Sequence, residues 1–509
     1  MNFLRRRAFV VTLLALLAGA LHAASFAPVY WPWLQVLALA FLFALETRSP
    51  SAKVSAGLGL AFGLGWFGVG ISWVYVSMHV YGQMPAWLAG AATAAFCGYL
   101  AVYPALALAA ARRLFPNASM RLALGLPALW MFSEFLRGTV FSGFPWLASG
   151  YAHTDGPLAG WAPTLGMYGV TLMAGLLAGG LALLTQPRRR QAVRRYGWIA
   201  GVFVFALGGG WLGSTQHWTQ ATGKPIKVRL VQANVPQELK FEVDGIARAF
   251  TSHWTLMQGP PVDLVALPES VFPVPLQLVP PSYLQVFREF VRRDQTALVF
   301  GVFLEEPRAH YFNSAVAYSP TAPAEAGVLH YSKRHLVPFG EFIPPGFRWF
   351  VDLMQMPIGD QQRGRSAAPI ELAGQRIAVN ICYEDLFGAE IIDAWHTSPP
   401  GPGAPTMMLN ISNLAWFNDS LALPQHLQIS RMRVLETQHP MMRATNTGAT
   451  AIIDARGEVV AQLPALTAAA LDGQVQGYQG TTPFIRYGNG PALLLGALGL
   501  ALALIMRRR

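Results

Sequence analysis

Residues 376–385 read Arg-Ile-Ala-Val-Asn-Ile-Cys-Tyr-Glu-Asp. The mostly apolar run at 377–381 predicts a short buried strand, and Cys382 follows it directly. A nucleophile at the end of a buried strand is held rigidly while it faces a cleft, and the carboxylates that follow it can move protons. The only other cysteine, Cys97, lies in a long apolar segment, so Cys382 has no evident disulfide partner. A lone cysteine can also be a small buried hydrophobe, and the rest of the chain has to decide between the two interpretations.

The composition indicates a membrane protein. The chain has 509 residues, enough for two or three domains, and 53% of them are hydrophobic while 12% are charged. The basic residues form short tracts between apolar runs, so the net charge of +11 does not indicate a nucleic-acid partner. Apolar runs long enough to cross a bilayer predict eight transmembrane spans, at about 8–24, 32–46, 54–76, 85–111, 120–137, 163–186, 196–213 and 489–506.

Lysine and arginine are distributed unequally between the connections of these spans. The connections near 25–31, 77–84 and 138–162 contain none. The connections and termini on the opposite side contain sixteen: Arg5, Arg6, Arg7, Arg48, Lys53, Arg112, Arg113, Arg121, Arg188, Arg189, Arg190, Arg194, Arg195, Arg507, Arg508 and Arg509. Because basic loops stay in the cytoplasm, both termini are expected there, in agreement with an even number of spans. Residues 1–24 are alternatively a signal peptide, although multi-span proteins usually keep such a segment as an anchor.

Residues 214–488 have a mixed pattern that predicts an α/β domain on the non-cytoplasmic side of the membrane. Short apolar strands alternate with helices, which implies a layered sheet packed by helices. Strands are predicted at 227–235, 263–267, 297–303, 313–318, 327–332, 377–381, 406–411 and within 442–463, and helices at 243–257, 282–293, 387–396 and 424–438. The predicted domains are a membrane domain of seven helices at 1–213, this domain at 214–488, and an eighth helix with a basic cytoplasmic tail at 489–509.

Three reactive groups lie at predicted strand ends or in loops, namely Glu269, Lys333 and Cys382. A cysteine attacks as a thiolate, so it needs a base to take its proton and a cation to stabilise negative charge. Glu269 can be that base, and Lys333 can stabilise first the thiolate and then an oxyanion. Glu341, eight residues after Lys333, can orient the lysine or relay a proton. Taken singly, such a glutamate is more often a solvated cap and such a lysine a surface residue.

Three motifs carry a resemblance to a known superfamily: LPES at 267–270, YSKRHLVPFGEF at 331–342 and NICYED at 380–385. They resemble the signatures of the nitrilase/carbon–nitrogen hydrolase superfamily, whose Glu-Lys-Cys triad lies on an α-β-β-α sandwich. Nearly the whole chain is similar to the apolipoprotein N-acyltransferase family, which joins such a domain to eight membrane spans. This wider similarity includes 142–151, 231–241, 410–420, 425–436 and 443–448.

The resemblance implies roles for individual residues. Glu269 is expected to be the base, Lys333 the oxyanion stabiliser and Cys382 the nucleophile. The expected supporting residues are Glu341, Tyr383 and Glu384. Two positions depart from the family pattern: Leu414 stands where an acidic residue is expected, and Phe241 where a tryptophan is expected. Both lie outside the triad, so they affect substrate contacts rather than the chemistry.

The resemblance also implies a reaction and its partners. An acyl chain is expected to pass from a phospholipid, with phosphatidylethanolamine as the expected donor, to Cys382, and then to the α-amino group of the diacylglyceryl-cysteine of an apolipoprotein. The enzyme is expected to be a monomer in the bacterial inner membrane with its catalytic domain in the periplasm. No cofactor or metal is expected, because the histidines lack ligand spacing. The alternatives are a membrane-anchored nitrilase-type amidase that uses water, and a non-enzymatic receptor or lipid-binding scaffold.

Residues 342–358 are rich in aromatic residues and methionine. Such a segment is either a buried helix of the domain or an arm at the lipid interface that covers an acyl chain. The second interpretation makes Trp349 and Phe350 substrate-binding residues. Trp416 and Phe417 are expected to line the same entrance.

Overall fold

The computed structural model describes residues 2–187, 192–237, 245–306, 310–321, 328–349, 361–397 and 403–507. The chain divides into two compact units. The first contains residues 1–75, 85–217 and 482–509, and the second contains residues 76–84 and 218–481. Two residues named in the sequence analysis lie outside the described residues. They are Phe350, a predicted substrate contact, and Phe241, a predicted departure from the family pattern.

The first unit is helical. Its α-helices are Asn2–Ala23, Pro32–Glu46, Ala52–Gly70, Trp73–Val76, Ala86–Leu114, Ala118–Met120, Leu126–Arg137, Ala162–Leu184, Ala192–Phe203, Gly209–Ser214, Pro483–Tyr487 and Gly490–Arg507, with π-helical turns at Arg121–Gly125 and Val204–Gly208 and 3-10 turns at Val140–Ser142, Ser149–His153 and Pro157–Trp161. Side chains cap the N-termini of several of these helices. For example, the hydroxyl of Ser51 accepts a hydrogen bond from the Val54 N–H.

Four helices among the described residues are long and apolar enough to cross a membrane: Ala52–Gly70, Ala86–Leu114, Pro157–Leu184 and Arg195–Ser214. Shorter apolar helices cover Ala8–Ala23, Pro32–Glu46 and Gly490–Met506. Helices are therefore present in all eight stretches for which spans are predicted, while the number that cross the membrane stays a prediction.

Two buried carboxylates of the first unit have polar partners. Glu46 and Arg121 are fully buried and their side chains lie 2.6 Å apart, and the Ser55 hydroxyl donates a hydrogen bond to the same carboxylate. Glu134 accepts hydrogen bonds from the Ser149 N–H and hydroxyl and from the Thr171 hydroxyl. A buried charge is strongly unfavourable without such partners, so these contacts allow the helices to bury them.

The second unit contains two β-sheets. Its thirteen described strands are β1 (Thr219–Gln232), β2 (Leu264–Ala266), β3 (Phe272–Pro275), β4 (Ala297–Glu306), β5 (His310–Tyr318), β6 (Leu329–Ser332), β7 (Ile370–Leu372), β8 (Gln375–Ile381), β9 (Met407–Ser412), β10 (Met441–Thr445), β11 (Ala451–Ile453), β12 (Val459–Gln462) and β13 (Ala469–Gly480). The first sheet has the order β13-β1-β2-β4-β5-β6, with β3 paired to β4. The second has the order β12-β11-β10-β9-β8-β7.

The sheets pack face to face and helices cover their outer faces. The described α-helices of the second unit are Gly245–Met257, Pro281–Asp294, Gly388–Ile391, Asp393–His396 and Ala422–Thr437. The unit also has a π-helical turn at Ser77–Tyr81 and 3-10 turns at Leu276–Leu278, Cys382–Leu386 and Ala415–Phe417. Buried side chains of β1, β2 and β4 form one core with those of β8, β9 and β10. A second core lies between the first sheet and the helices Gly245–Met257 and Pro281–Asp294. Since Ala422–Thr437 lies against β9 and β10 of the second sheet, the α-β-β-α prediction is confirmed.

Candidate active site

Three strand ends bring the predicted triad together. Glu269 follows β2 by three residues, Lys333 directly follows β6, and Cys382 directly follows β8. The Lys333 ammonium lies 3.5 Å from Glu269 Oε1, and both side chains are almost completely buried. Their charges act on the Cys382 thiol. The two sheets of the sandwich thus contribute different parts of one site.

Glu269 is held by donors on both of its oxygens. Its Oε1 accepts a 2.7 Å hydrogen bond from Asn313 Nδ2, and its Oε2 accepts a 2.8 Å bond from the backbone N–H of Asn413. Gly301 of β4 passes so close to this loop that a Cβ there would lie 2.6 Å from the Glu269 Cα. Only glycine therefore fits at position 301, so β4 packs against the backbone of Glu269 while the two donors hold its carboxylate.

Lys333 is paired mainly with Glu341. Its Nζ donates a 2.7 Å hydrogen bond to Glu341 Oε1, which also accepts a 3.0 Å bond from Asn313 Nδ2. The other oxygen of Glu341 accepts a 2.8 Å bond from the Val337 N–H. Although burial lowers the pKa of Lys333, the charges of Glu341 and Glu269 outweigh it and hold the pKa above its ordinary value. The lysine is therefore a fixed positive charge, and Glu341 orients it.

Cys382 begins the 3-10 turn Cys382–Leu386 with a backbone φ of 53°. This left-handed conformation is unfavourable for a residue with a Cβ, and such strain is typical of functional sites. Burial raises the pKa of the Cys382 thiol, the charge of Glu269 raises it further, and Lys333 and the Asn413 N–H oppose both. These influences favour a thiol as the resting group, so a nucleophilic attack by this sulfur would require a base to take the proton.

Glu384 holds the loops that carry the lysine and the cysteine. Its Oε1 accepts hydrogen bonds of 2.6 Å and 3.1 Å from the N–H groups of Arg334 and His335, which follow Lys333. Its Oε2 accepts a 2.7 Å bond from the Ile381 N–H, directly before Cys382, and both oxygens accept from the Tyr331 hydroxyl. Burial raises the pKa of this carboxyl, while the backbone donors lower it. Glu384 therefore links the backbone after Lys333 to the backbone before Cys382.

The other predicted residues differ in how deeply they are buried. The ring of Tyr383 is buried and packs against His335 and Phe387. Trp416 and Phe417 belong to the 3-10 turn Ala415–Phe417 and are half-buried, whereas Trp349 is 63% exposed. Leu414 is fully buried, so this departure from the family pattern places an apolar side chain in the interior directly after Asn413.

A cavity of about 410 Å³ lies in the same unit, and none of the triad residues belongs to its lining. Its lining residues are Phe312, Leu336, Phe342, Gln361, Gln362, Arg363 and Arg365. Residues 361–364 connect the cavity lining to the loop of Lys333 and Glu341, because the Gln361 N–H donates to the Glu341 carbonyl and the Gly364 N–H donates to the Lys333 carbonyl. Among the described residues no group of three or more His, Cys, Asp or Glu side chains is arranged to hold a metal ion.

Sequence reasoning missed two contributors to the site. Asn313 donates to both Glu269 and Glu341, and its one sequence signal is a single amide within the otherwise mostly apolar β5. Asn413 contributes a backbone N–H, which every residue except proline has, so no sequence signal distinguishes it. Its side chain is held in turn by Gln237 and Asn446.

Family models match most of the chain. The apolipoprotein N-acyltransferase N-terminal domain matches residues 18–180, and the carbon-nitrogen hydrolase domain matches residues 227–481. Among solved structures, the fold is similar to that of Saccharomyces cerevisiae Nit3, a member of the nitrilase superfamily, with a TM-score of 0.38, 17% identity, and coverage of 50% of this chain and 93% of that one.

Curated relatives match from end to end. The apolipoprotein N-acyltransferase of Ralstonia nicotianae is 49% identical over 99% of this chain and 95% of that protein. The corresponding proteins of Bordetella bronchiseptica and Nitrosomonas europaea are 44% and 41% identical, covering 96% and 95% of this chain and 96% and 94% of their own length. The chain therefore belongs to the apolipoprotein N-acyltransferase family.

Proposed function

We propose that the protein transfers an acyl chain from a phospholipid, through a thioester at Cys382, to the α-amino group of the diacylglyceryl-cysteine at the N-terminus of apolipoproteins. The observation that carries the proposal is the buried cluster around Cys382, in which Glu269 and Lys333 lie 3.5 Å apart and Glu341 holds the lysine. The full-length similarity to enzymes named for this transfer supports the choice of reaction.

In the first half-reaction Cys382 attacks the ester carbonyl of the phospholipid. Glu269 takes the thiol proton as the S–C bond forms, and Lys333 stabilises the negative charge that develops on the carbonyl oxygen. One such donor commonly lowers a barrier by about 3 kcal/mol. The ester C–O bond then breaks, Glu269 returns the proton to the departing alkoxide, and a lysophospholipid leaves the thioester behind.

In the second half-reaction the α-amino group of the apolipoprotein attacks the thioester carbonyl. Glu269 takes a proton from the amine, and Lys333 stabilises the oxyanion again. The C–S bond breaks, an amide forms, and the proton returns to the thiolate sulfur. The near-complete burial of Glu269 and Lys333 limits the access of bulk water to their side of the thioester, which favours transfer to the amine over hydrolysis.

We infer that the aromatic residues near the site contact the lipid chains. Trp349 presents a largely exposed ring, and Trp416 and Phe417 are half-buried beside the catalytic loops. Phe350, outside the described residues, is assigned the same role from the sequence. Phosphatidylethanolamine is the donor we expect, and the cavity lined by Phe312, Arg363 and their neighbours has both apolar and cationic side chains with which to receive a phospholipid.

We infer that the protein is a monomer of the bacterial inner membrane with eight spans, both termini in the cytoplasm, and its catalytic domain in the periplasm. The proposed division is 1–213 and 489–509 for the membrane part and 214–488 for the catalytic part. The supporting observation is the distribution of basic residues, sixteen on one side and none in the short connections of the other. Reporter fusions after residue 220 and at the C-terminus test this placement; a cytoplasmic signal at the first or a periplasmic signal at the second contradicts it.

Trapping the thioester tests the reaction. After incubation with phosphatidylethanolamine, mass spectrometry of the digested protein should find an acyl group on the peptide that contains Cys382, removable by neutral hydroxylamine. Cys97→Ala is the matched control, because this buried cysteine lies in the helix Ala86–Leu114 and its loss should leave the adduct intact. Cys382→Ala should lose it. An unmodified Cys382, or an adduct that survives Cys382→Ala, contradicts the proposal.

A further inference from the structure

The backbone of Cys382 needs support from its surroundings. Its left-handed φ of 53° is one that a non-glycine residue keeps only when neighbouring groups hold it there. The carbonyl oxygen of Cys382 accepts a 3.2 Å hydrogen bond from His426 Nε2, and the amide of Asn410 lies 3.5 Å away. The histidine is therefore bonded to the nucleophile through the main chain.

The hydrogen bonds of His426 determine its tautomer. Its Nδ1 lies 2.9 Å from a terminal nitrogen of the Arg443 guanidinium. A guanidinium has donors only, so Nδ1 accepts, and the imidazole proton has to be on Nε2. That proton points at the Cys382 carbonyl.

Arg443 is itself fixed by the turn that Cys382 begins. The other terminal nitrogen of its guanidinium donates a 2.8 Å hydrogen bond to Asp385 Oδ2 and contacts the Ser430 hydroxyl, which donates to the same carboxylate. Arg443, Asp385 and Ser430 are fully buried, and His426 is 1% exposed. The contacts form a closed loop, from Cys382 through His426 and Arg443 to Asp385, three residues after the cysteine.

Three charged groups face the imidazole of His426. Arg443 faces it from β10, Lys333 from the loop after β6, and Asp385 Oδ2 lies 3.7 Å from Nε2. Burial lowers the pKa of His426 well below its ordinary value, and the positive charges of Arg443 and Lys333 lower it further. The imidazole is therefore neutral at working pH.

We propose that His426 is a positioning residue for the nucleophile: its Nε2–H, oriented by Arg443, holds the Cys382 carbonyl and keeps the cysteine in its reactive backbone conformation. Because a peptide unit is planar, fixing this carbonyl also fixes the direction of the Tyr383 N–H at the opposite edge of the same unit. Histidine is suited to this position because one ring nitrogen accepts a hydrogen bond from an arginine while the other donates to the main chain.

The test measures single-turnover formation of the Cys382 thioester from phosphatidylethanolamine by the full-length protein in detergent. His426→Leu removes the shorter of the two hydrogen bonds to the Cys382 carbonyl and leaves only the 3.5 Å bond from Asn410, so it should slow acylation by about ten- to a hundredfold. His426→Gln should retain most of the rate, because the amide oxygen can accept from Arg443 while its nitrogen donates to Cys382. His439→Leu is the matched control: this histidine is equally buried, bonds the Thr437 carbonyl and should leave acylation unchanged.

A double-mutant cycle separates positioning from stability. Arg443→Lys keeps the charge next to Asp385 but loses the bond to Nδ1, so it should slow acylation by about tenfold in the wild-type background. Once His426 is replaced by Leu, the same change should slow it by less than about twofold, because there is then no imidazole for Arg443 to orient and lysine keeps the charge beside Asp385. Wild-type acylation in His426→Leu, equal losses in His426→Gln and His426→Leu, or additive losses in the cycle would overturn the proposal.

The inference rests on the proposed role of Cys382, and the two can fail separately. If Cys382→Ala still forms the acyl-enzyme, the proposed function is wrong. If Cys382→Ala abolishes the thioester while the His426 and Arg443 variants acylate like the wild type, the function stands and the positioning role is wrong.

Discussion

Replacing Glu269 by Gln should change two reactions of Cys382 in opposite directions. The variant keeps the shape of the side chain but removes its negative charge and its ability to take a proton. Acylation by phospholipid should therefore slow by about two to four orders of magnitude, the usual contribution of a general base. Alkylation of the same sulfur by a small reagent such as iodoacetamide should become faster.

The second effect follows from the charges in the site. The negative charge of Glu269 raises the pKa of the Cys382 thiol, so its removal lowers this pKa and increases the thiolate fraction at any pH below it. Because thiolate nucleophilicity falls as its pKa falls, each unit of decrease should raise the alkylation rate by about three- to fourfold. The alkylation rate of the wild type should still be rising with pH at pH 9. The pH profile of the variant should be shifted toward lower pH, so the variant reacts faster at each pH.

The hydrogen bonds of Glu269 also predict how much stability this variant loses. Both oxygens of Glu269 accept hydrogen bonds, from Asn313 on one side and the Asn413 N–H on the other. Glutamine has one acceptor, so one of these buried donors loses its partner at a cost of about 1–3 kcal/mol in the free energy of unfolding. The loss of stability measured by thermal unfolding should lie within this range and not exceed it.

The two rates are measured on the same preparations, by single-turnover acylation and by loss of free thiol across pH 6–9. Glu289→Gln is the control, because this exposed residue lies on the outer helix Pro281–Asp294 and should affect neither rate. Parallel loss of acylation and alkylation would refute the reasoning, since it would mean that the change disrupts the site. An unchanged acylation rate would show that Glu269 is not the base.

Three further substitutions have expected outcomes. Cys382→Ser should lower acylation by about a thousandfold or more, because an alcohol is far harder to ionise than a thiol; measurable ester formation near the wild-type rate would contradict this. Lys333→Ala should lower it by about two to three orders of magnitude, and Lys333→Arg should not restore it, since a guanidinium is larger than the ammonium held 2.7 Å from Glu341; rescue by arginine would mean that only charge matters. Trp349→Ser should slow acylation by long-chain phospholipid and spare alkylation of Cys382; equal loss of both would mean that the change disrupts the site and that Trp349 has no specific role in lipid binding.

Much of the site follows from local sequence, because its three reactive groups stand at strand ends. The apolar run before Cys382 predicts β8 correctly, and the observed strand is Gln375–Ile381. The strand before Glu269 is also correct, although it is shorter than predicted, at Leu264–Ala266. Strand ends at one edge of a sandwich meet in space, which is why isolated motifs far apart in sequence combine into one cluster.

The missed elements have weak local signals. Strand β13 is rich in Gly and Gln and half-exposed along most of its length, so it lacks the apolar alternation of a strand, and it forms by pairing with β1. That pairing also explains why β1 begins at Thr219, eight residues before the predicted strand. The helix predicted at 387–396 is instead two short helices, Gly388–Ile391 and Asp393–His396. In each case tertiary contacts decide what local pattern leaves open.

The contacts that orient the triad could not be predicted for a related reason. Asn313 reaches two carboxylates because β5 pairs with both β4 and β6, and no local pattern specifies that arrangement. The loop through His426 and Arg443 joins a helix to β10 and to the turn after β8. Such contacts exist only once the sandwich has assembled.

The fate of the isolated thioester tests the central claim most directly. Acyl-enzyme formed from phosphatidylethanolamine is separated from lipid and mixed with a diacylated lipopeptide whose α-amino group is free, with the same lipopeptide acetylated at that group, or with buffer alone. We predict rapid loss of the thioester and an N-acylated product with the free amine, and slow loss in the other two. Release of free fatty acid at the same rate in all three would identify water as the acceptor and contradict the proposed transfer.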